Sequence, residues 1–536
     1  MQEIDNWMLN EKEKAIEYLM DNGFSFNSLK NFYWRRLEFK GKEIHLRIVL
    51  SQKFPLEYPK FYVDQEDWFL TYPHIEKNKK YGFNICYVES EDKVAIFDGI
   101  QLIKRELEKI YQVIKGYEKD TFNKKDFLEE FDSYWGDDYI HMDVQTNIEE
   151  PKIIDLLEVQ KFKHVVTEDI EKTKVILMNM HLEIQKEKKV IFLPFFNEFT
   201  YPFPRTKNEV LKIIEALGYK TFLEENIEQV DLKVVFSFKI DTYTHYGAFK
   251  FTKPYTQFLI NPEIIPLGIR RIDRDRIFSR GGNELTSSIV KVPIEVTIIG
   301  CGSLGASLAF KLAKSGIKKF VFIDHDFLSI NNIGRHICGM RYIRSKKVDA
   351  LKAFLLEQFP DLEIEVIAKN AIECLDRLSQ TGLIISAVGS EGEGFEQLLL
   401  QMKHSKNEKI SIPPIVLTWF ESAIAGQVIL IKETNINDFP VFLEKISVLK
   451  KSKRNELTKL DMGCNSTYSP YAFIDAENTV LHAALLITKY IATLGEVDEE
   501  VYTIFNDTEQ YKDYLLEKYK KTPPYTIQKQ KLEDVL

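Results

Sequence analysis

The sequence predicts an α/β protein in three successive parts: an N-terminal α+β domain over residues 1–140, an α/β linker or dimerisation domain over 141–272, and a doubly wound parallel-sheet domain over 273–536. Three observations carry that prediction. A short apolar strand, Val296-Thr297-Ile298-Ile299, runs straight into Gly300-Cys301-Gly302-Ser303-Leu304-Gly305, then a helix, then a second apolar strand, Phe320-Val321-Phe322-Ile323. That is the opening βαβ of a doubly wound sheet. Near the N-terminus, apolar residues alternate at the two-residue period of strands between two helical stretches. The chain has 536 residues, whereas one core serves roughly 150 residues, so three or four units are expected.

Taken in order, residues 10–22 have helical spacing and stop at Asn22-Gly23, a good terminator. The stretches NFYWRRLEF and KEIHLRIVL alternate as strands. Phe54-Pro55-Leu56-Glu57-Tyr58-Pro59 continues neither ladder nor helix and reads as a rigid extended turn. A periodic helix fills 99–117, and the aromatic, charged run KKDFLEEFDSYWGDDY closes the first part. In the middle, KVIFLPFF and KVVFSFKI read as strands around a helix that Thr206 caps. The third part adds a helix over SLAFKLAKSG ending at Gly316, and buried strands GLIISAV, PIVLTWF and GQVILIKE.

Composition narrows the function. Hydrophobic content of 44% with 29% charged residues is that of a globular chain. A net charge of −9 argues against a general nucleic-acid binder, which needs a basic face. The five cysteines, Cys86, Cys301, Cys338, Cys374 and Cys464, are few, odd in number and scattered. A reducing compartment is expected rather than a disulfide framework, and without a Cys-x-x-Cys pair no two-pair zinc site has ligands. The charged start lacks the apolar core of a signal peptide, and no apolar run approaches the ~20 residues that span a bilayer. A cytoplasmic chain with no membrane segment is expected.

The glycine loop carries the chemistry. In G-x-G-x-x-G the first glycine makes the tight turn, the second lets backbone approach a phosphate, and the third lets helix pack on strand. The helix N-terminus then offers unpaired N–H groups and partial positive charge to an anion. Asp324, ending the second strand, is placed for ribose hydroxyls. A nicotinamide enzyme shows the same features. What separates the readings is Asn331-Asn332-Ile333-Gly334-Arg335-His336, followed by Lys347 at the start of the next helix. Amide, guanidinium and ammonium donors suit a triphosphate whose α-phosphate gains charge as a carboxylate attacks. Each such donor contributes about 2.7–4 kcal/mol to the transition state. Hydride transfer needs no such cluster.

With these residues the third part resembles the ThiF/MoeB-like adenylating family, to which ubiquitin-activating enzymes belong. The resemblance implies a Rossmann-like adenylating domain that binds ATP through Gly300, Gly302, Gly305, Asp324, Asn332, Arg335 and Lys347. It also implies magnesium and a homodimer in which an arginine reaches the partner's site; Arg274, Arg276 and Arg280 are the candidates. The family's magnesium aspartate is missing from Ser386-Ala387-Val388-Gly389-Ser390-Glu391, which leaves Glu391 or Asp326 for the metal.

Two thiols complete the picture. Cys464 lies in Asp461-Met462-Gly463-Cys464-Asn465-Ser466, whose residue types make a loop rather than a core. Activating enzymes carry their thioester cysteine in such a late crossover loop. Cys301 reads as packing, and Cys338 and Cys374 as structural. Cys86 ends Gly82-Phe83-Asn84-Ile85-Cys86. With the preceding helix, strands and proline turn it resembles the ubiquitin-conjugating enzymes. Their His-Pro-Asn triplet is reduced to His74 followed by Ile75 and Glu76, with Asn84 the local alternative for the asparagine. A conjugating part before an adenylating part is similar to the fused conjugation proteins of bacterial CBASS antiphage operons.

The resemblances imply ATP-dependent activation of a protein C-terminal carboxylate as acyl-AMP, a thioester on Cys464, transfer to Cys86, and ligation to an amine of a target protein. The activated partner is a cGAS-like cyclic-oligonucleotide synthase or a ubiquitin-like protein. The rivals are a sulfur-carrier adenylating enzyme, a nicotinamide oxidoreductase, and a nucleotide-binding scaffold without turnover.

Overall fold

The computed structural model describes residues 2–64, 72, 75–78, 80–86, 97–121, 131, 135–136, 138–143, 148–196, 204, 206–227, 233–240, 243–251, 264–389, 393–404, 411–460, 467–468 and 470–536. They form two compact units, Met1–Glu168 with Gln185–Arg271, and Asp169–Ile184 with Ile272–Leu536. No described helix is long and apolar enough to cross a membrane.

The first unit opens with a helix, Gln2–Asp21, that starts earlier than the periodicity alone indicated. Tertiary contacts extend it: the Trp7 ring lies 6.2 Å from that of Phe97, and the buried Glu11 accepts the Gly99 N–H. Six strands follow, β1 (Ser25–Asn27), β2 (Phe32–Phe39), β3 (Lys42–Val49), β4 (Lys60–Val63), β5 (Ile75–Asn78) and β6 (Gly82–Ile85), in the antiparallel order β1-β2-β3-β4-β6-β5. In β3 the apolar Ile44, Leu46 and Ile48 are buried and the residues between them are not, the alternation of a one-sided sheet. The helix Gly99–Glu118, capped by Asp98, covers that face with Leu102, Ile103, Leu107, Ile110 and Ile114. Each fully buried apolar side chain contributes about 1.5–3 kcal/mol.

The rest of this unit is a closed seven-stranded barrel of β7 (Asp138–Asp143), β8 (Lys152–Val159), β9 (Lys163–Thr167), β10 (Ile184–Phe196), β11 (Lys233–Ile240), β12 (Tyr243–Phe251) and β13 (Ile264–Arg271). Its aromatic core reaches upstream of residue 141, to Phe131 and Trp135, whose indole N–H donates to the Ala248 carbonyl at 2.7 Å. The sequence showed two of these seven strands. β13 was hidden by Pro266 and Gly268, residues that normally mark loops. Thr206 caps the helix Lys207–Ala216 through a full capping box with Glu209, as its spacing indicates.

The second unit is an eight-stranded sheet. Its strands are β14 (Glu295–Ile299), β15 (Lys319–Ile323), β16 (Glu363–Ile367), β17 (Leu383–Ser386), β18 (Ile415–Glu421), β19 (Ala425–Ile431), β22 (Glu500–Phe505) and β23 (Ile527–Lys531), while β20 (Lys459–Leu460) and β21 (Thr467–Tyr468) pair apart. The order is β16-β15-β14-β17-β18-β19-β22-β23, parallel from β16 to β18 and antiparallel beyond. Side chains alternate between two cores. Phe320 and Phe322 pack with the helices Ser303–Lys314 and Phe473–Ala492, whereas Val321 and Ile323 pack with Phe439–Ile446. Helices therefore cover both faces of a doubly wound sheet. Strand order reverses between β14 and β17, the crevice where such sheets bind ligands.

Candidate functional site

At the end of β14 each glycine has a distinct physical reason. Gly300 has φ +84°, and a Cβ there would sit 2.7 Å from the Ala387 carbonyl oxygen. A Cβ on Gly305 would lie 1.9 Å from the Gly300 oxygen, so helix and loop meet only because neither bears one. Gly302 faces open space, with nothing within 4 Å of an added Cβ. It starts the helix Ser303–Lys314, and among the described residues no side chain caps that end. The N–H groups of the first turn are thus left uncapped, the condition under which a helix N-terminus can take an anion.

The polar residues around this loop lie at the strand ends. Asp324 accepts the Cys301 N–H on one carboxylate oxygen and the Asp326 N–H on the other, both at 2.8 Å. Lys347, at the head of Lys347–Gln358, donates to Asp326 at 2.7 Å. Burial alone would raise the Asp326 carboxyl, but the Lys347 hydrogen bond and the nearby charges of Lys347, His325 and Lys346 hold it below its ordinary value. Asn332 accepts the Ser329 N–H and hydroxyl, closing its own 3-10 turn. The Arg335 guanidinium lies 5.0 Å from the Tyr471 ring centre. The ligand atoms of Asp324, His325 and Asp326 lie within 4.8 Å of one another. Two carboxylates suit a hard cation that keeps several of its waters.

Three residues at the site escaped the sequence reading. His336 is buried, accepts the Cys338 N–H on Nδ1 at 3.1 Å, and so donates from Nε2 to the Cys301 carbonyl at 2.8 Å. Burial holds this imidazole below its ordinary 6.5, so it is a neutral brace of the glycine loop. Tyr471 bonds Ser303 through its hydroxyl at 2.6 Å. Glu396 is buried behind the Ser386 segment, accepts the Ser386 hydroxyl at 2.5 Å, and is pushed up to about 8 by burial. No local pattern marks the first two, whose partners in the glycine loop and its helix, Cys301 and Ser303, lie 35 and 168 residues away in the chain.

Cys301, Cys338 and Cys374 are buried. Burial, with the charge of Asp324, pushes the Cys301 thiol well up, and burial raises Cys338 to about 12. Neither is a ready nucleophile. Cys86, directly after β6, is exposed. Asn84 lies on β6 opposite Glu76 of β5. Cys464, Glu391 and His74 lie outside the described residues; β20 and β21, on either side of Cys464, pair antiparallel. Arg274 is committed to its own chain, donating to Asp361 at 2.8 Å and to the Ile317 carbonyl at 3.0 Å. Arg276 is exposed on the same helix, Arg274–Gly281, which also contains Arg280.

Residues 272–390 match the ThiF family, and residues 13–141 match the prokaryotic E2 family B. The chain is a fusion of an E2-like and a ThiF-type, E1-like domain. Among relatives of the fusion, the ATP-dependent ubiquitin transferase-like protein Cap2 of Pseudomonas aeruginosa is 29% identical over 136 residues, 25% of this chain and 24% of that protein. Cap2 of Enterobacter hormaechei is 29% identical over 157 residues, 27% of this chain and 24% of that protein. The ubiquitin-like modifier-activating enzyme 5 of Drosophila simulans is 30% identical over 140 residues, 24% of this chain and 33% of that protein. The similarity thus spans a quarter to a third of these relatives' length. Among solved structures, E. coli MccB with MccA-N7isoASN aligns with 46% of this chain and 66% of its own at 14% identity and TM-score 0.34. The ThiF match covers the glycine loop through Gly389, and the E2 match contains Cys86.

Proposed function

We propose that the fusion activates a protein C-terminus with ATP and passes it between two cysteines to an amine. A carboxylate oxygen attacks the α-phosphorus, the bond to pyrophosphate breaks, and acyl-AMP forms. The uncapped N–H groups behind Gly302, with Lys347, Arg335 and the Asn332 amide, stabilise the charge that develops there. Asp324 takes the ribose hydroxyls. Asp326, or Glu391, would hold magnesium, with Asp324 beside Asp326, and the ion would supply further neutralisation of phosphate charge. The Cys464 thiolate attacks the acyl carbon and AMP leaves; the Cys86 thiolate attacks the thioester and Cys464 is released; an amine, such as a lysine of a target protein, takes the acyl group from Cys86. The carboxylate belongs to a cyclic-oligonucleotide synthase or to a ubiquitin-like protein. The active form is a cytoplasmic homodimer, with Arg276 or Arg280 offered to the partner's site.

One observation carries this reading: an exposed Cys86 on an E2-family domain in the same chain as an open, cation-flanked glycine loop of the ThiF type. Intact-mass spectrometry after incubation with ATP and each candidate partner tests it. Wild type should gain the partner's mass, less water, in a form that thiols release. Cys464→Ala should keep ATP–pyrophosphate exchange and form no adduct, and Cys86→Ala should hold the adduct on Cys464. Normal loading of Cys86 in Cys464→Ala would refute the order of transfer.

A further inference from the structure

Tyr471 joins three segments that are remote in sequence. Its hydroxyl lies 2.6 Å from Ser303 Oγ, at the first residue of the glycine-loop helix. Its ring centre is 5.0 Å from the Arg335 guanidinium and 5.2 Å from the ring of Phe420 at the end of β18. Among the described residues no carboxylate pairs with Arg335. The two contacts differ in what they leave available. A carboxylate partner would neutralise a guanidinium and occupy its N–H donors, which lie in its plane. An aromatic ring attracts the cation through the π quadrupole and leaves the charge intact. The same side chain fixes the hydroxyl of Ser303 beside Gly302, where an added Cβ meets nothing within 4 Å.

We infer that Tyr471 is a positioning residue of the nucleotide site, holding Arg335 and Ser303 in place for phosphate while leaving the Arg335 charge intact. This rests on the nucleotide reading of the glycine loop. Tyr471 touches the grip and not the nucleotide, so its effect runs through Arg335 and Ser303. Its removal therefore weakens ligands that carry phosphates, and by less once Arg335 is absent.

The test is a double-mutant cycle on the full chain, read by calorimetric titration with ATP and, separately, with adenosine. Tyr471→Leu, which keeps bulk and removes the π face and hydroxyl, should weaken ATP about 10-fold and leave adenosine within about 2-fold. Tyr471→Phe, which loses only the Ser303 bond, should weaken ATP about 3-fold. In an Arg335→Ala background, Tyr471→Leu should cost only about 3-fold, the loss of the Ser303 bond. The inference is overturned if Tyr471→Leu binds ATP like wild type, if adenosine weakens in parallel, or if the two losses multiply. Should Tyr471→Leu not fold, Tyr471→Phe decides the matter: its loss should vanish in a Ser303→Ala background, and its persistence there would overturn the inference. A wild-type chain that binds no ATP would instead remove the nucleotide reading itself.

Discussion

His336 and Glu396 are both buried titratable groups, and their burial acts on opposite sides of neutrality. For His336 the folded imidazole titrates below 6.5 because burial opposes its charge. As pH falls below about 6.5 the unfolded chain takes up a proton that the folded one refuses, so this share of stability is present above 6.5 and lost on acidification. The slope reaches about 1.4 kcal/mol per pH unit for one site. His336→Gln should unfold in urea with a shallower loss of stability between pH 6.5 and 5, and should cost about 1–3 kcal/mol at pH 7.5 by unpairing the Cys338 N–H. For Glu396 the folded carboxyl sits at about 8 against an ordinary 4.5. Its protonated form is favoured by folding below 4.5, and stability drains away as pH rises toward 8. Glu396→Gln, which keeps the acceptor for Ser386, should therefore gain about 2–4 kcal/mol at pH 7.5 and nothing at pH 4. A variant less stable at pH 7.5 would show that Glu396 is not held protonated.

At the level of elements, the glycine loop was legible because its demands are local. Spacing alone assigned a turn to Gly300, an approach to Gly302 and a packing contact to Gly305, and the backbone shows these as positive φ, open space and a 1.9 Å conflict. The same logic gives opposite outcomes for one added methyl. Gly305→Ala should fail to fold or lose more than about 4 kcal/mol in denaturant unfolding. Gly302→Ala should keep its melting temperature within a few degrees yet weaken ATP by about 10-fold or more, as the methyl enters the space a phosphate needs. Equal melting temperatures for the two variants would contradict this. The Thr206 cap was likewise readable, and the structure adds the reciprocal bond to Glu209 that completes a capping box. The barrel was not, because a strand such as β13 owes its existence to partners across the ladder, Phe249 opposite Pro266 and Gly247 opposite Gly268, rather than to its own composition. Tyr471 was missed for a related reason: its partners, Ser303 and Arg335, are brought beside it only by the folded sheet.

Across the whole molecule the thiols sort by access. Of the four described cysteines only Cys86 is exposed, while burial both hides the others and raises their thiols. Brief iodoacetamide treatment of native Cys464→Ala at pH 8 should alkylate Cys86 first, and Cys301, Cys338 and Cys374 only after unfolding, as peptide masses would record. Early alkylation of Cys338 would contradict the burial. A second molecular property follows from where the helix Ile170–Asn179 belongs. It sits within the stretch Asp169–Ile184, which groups with the second unit, and there Asn179 donates to the Pro360 carbonyl at 2.8 Å. A fragment of residues 272–536 lacks this helix and should melt at least a few degrees below the same fragment supplied with residues 169–184. The polypeptide thus leaves its first unit, visits the second, returns, and leaves again. Swapping the front module between related genes with a single crossover would strand a piece of one parent inside the other; a chimera that keeps each unit from one parent requires three breakpoints, after residues 168, 184 and 271.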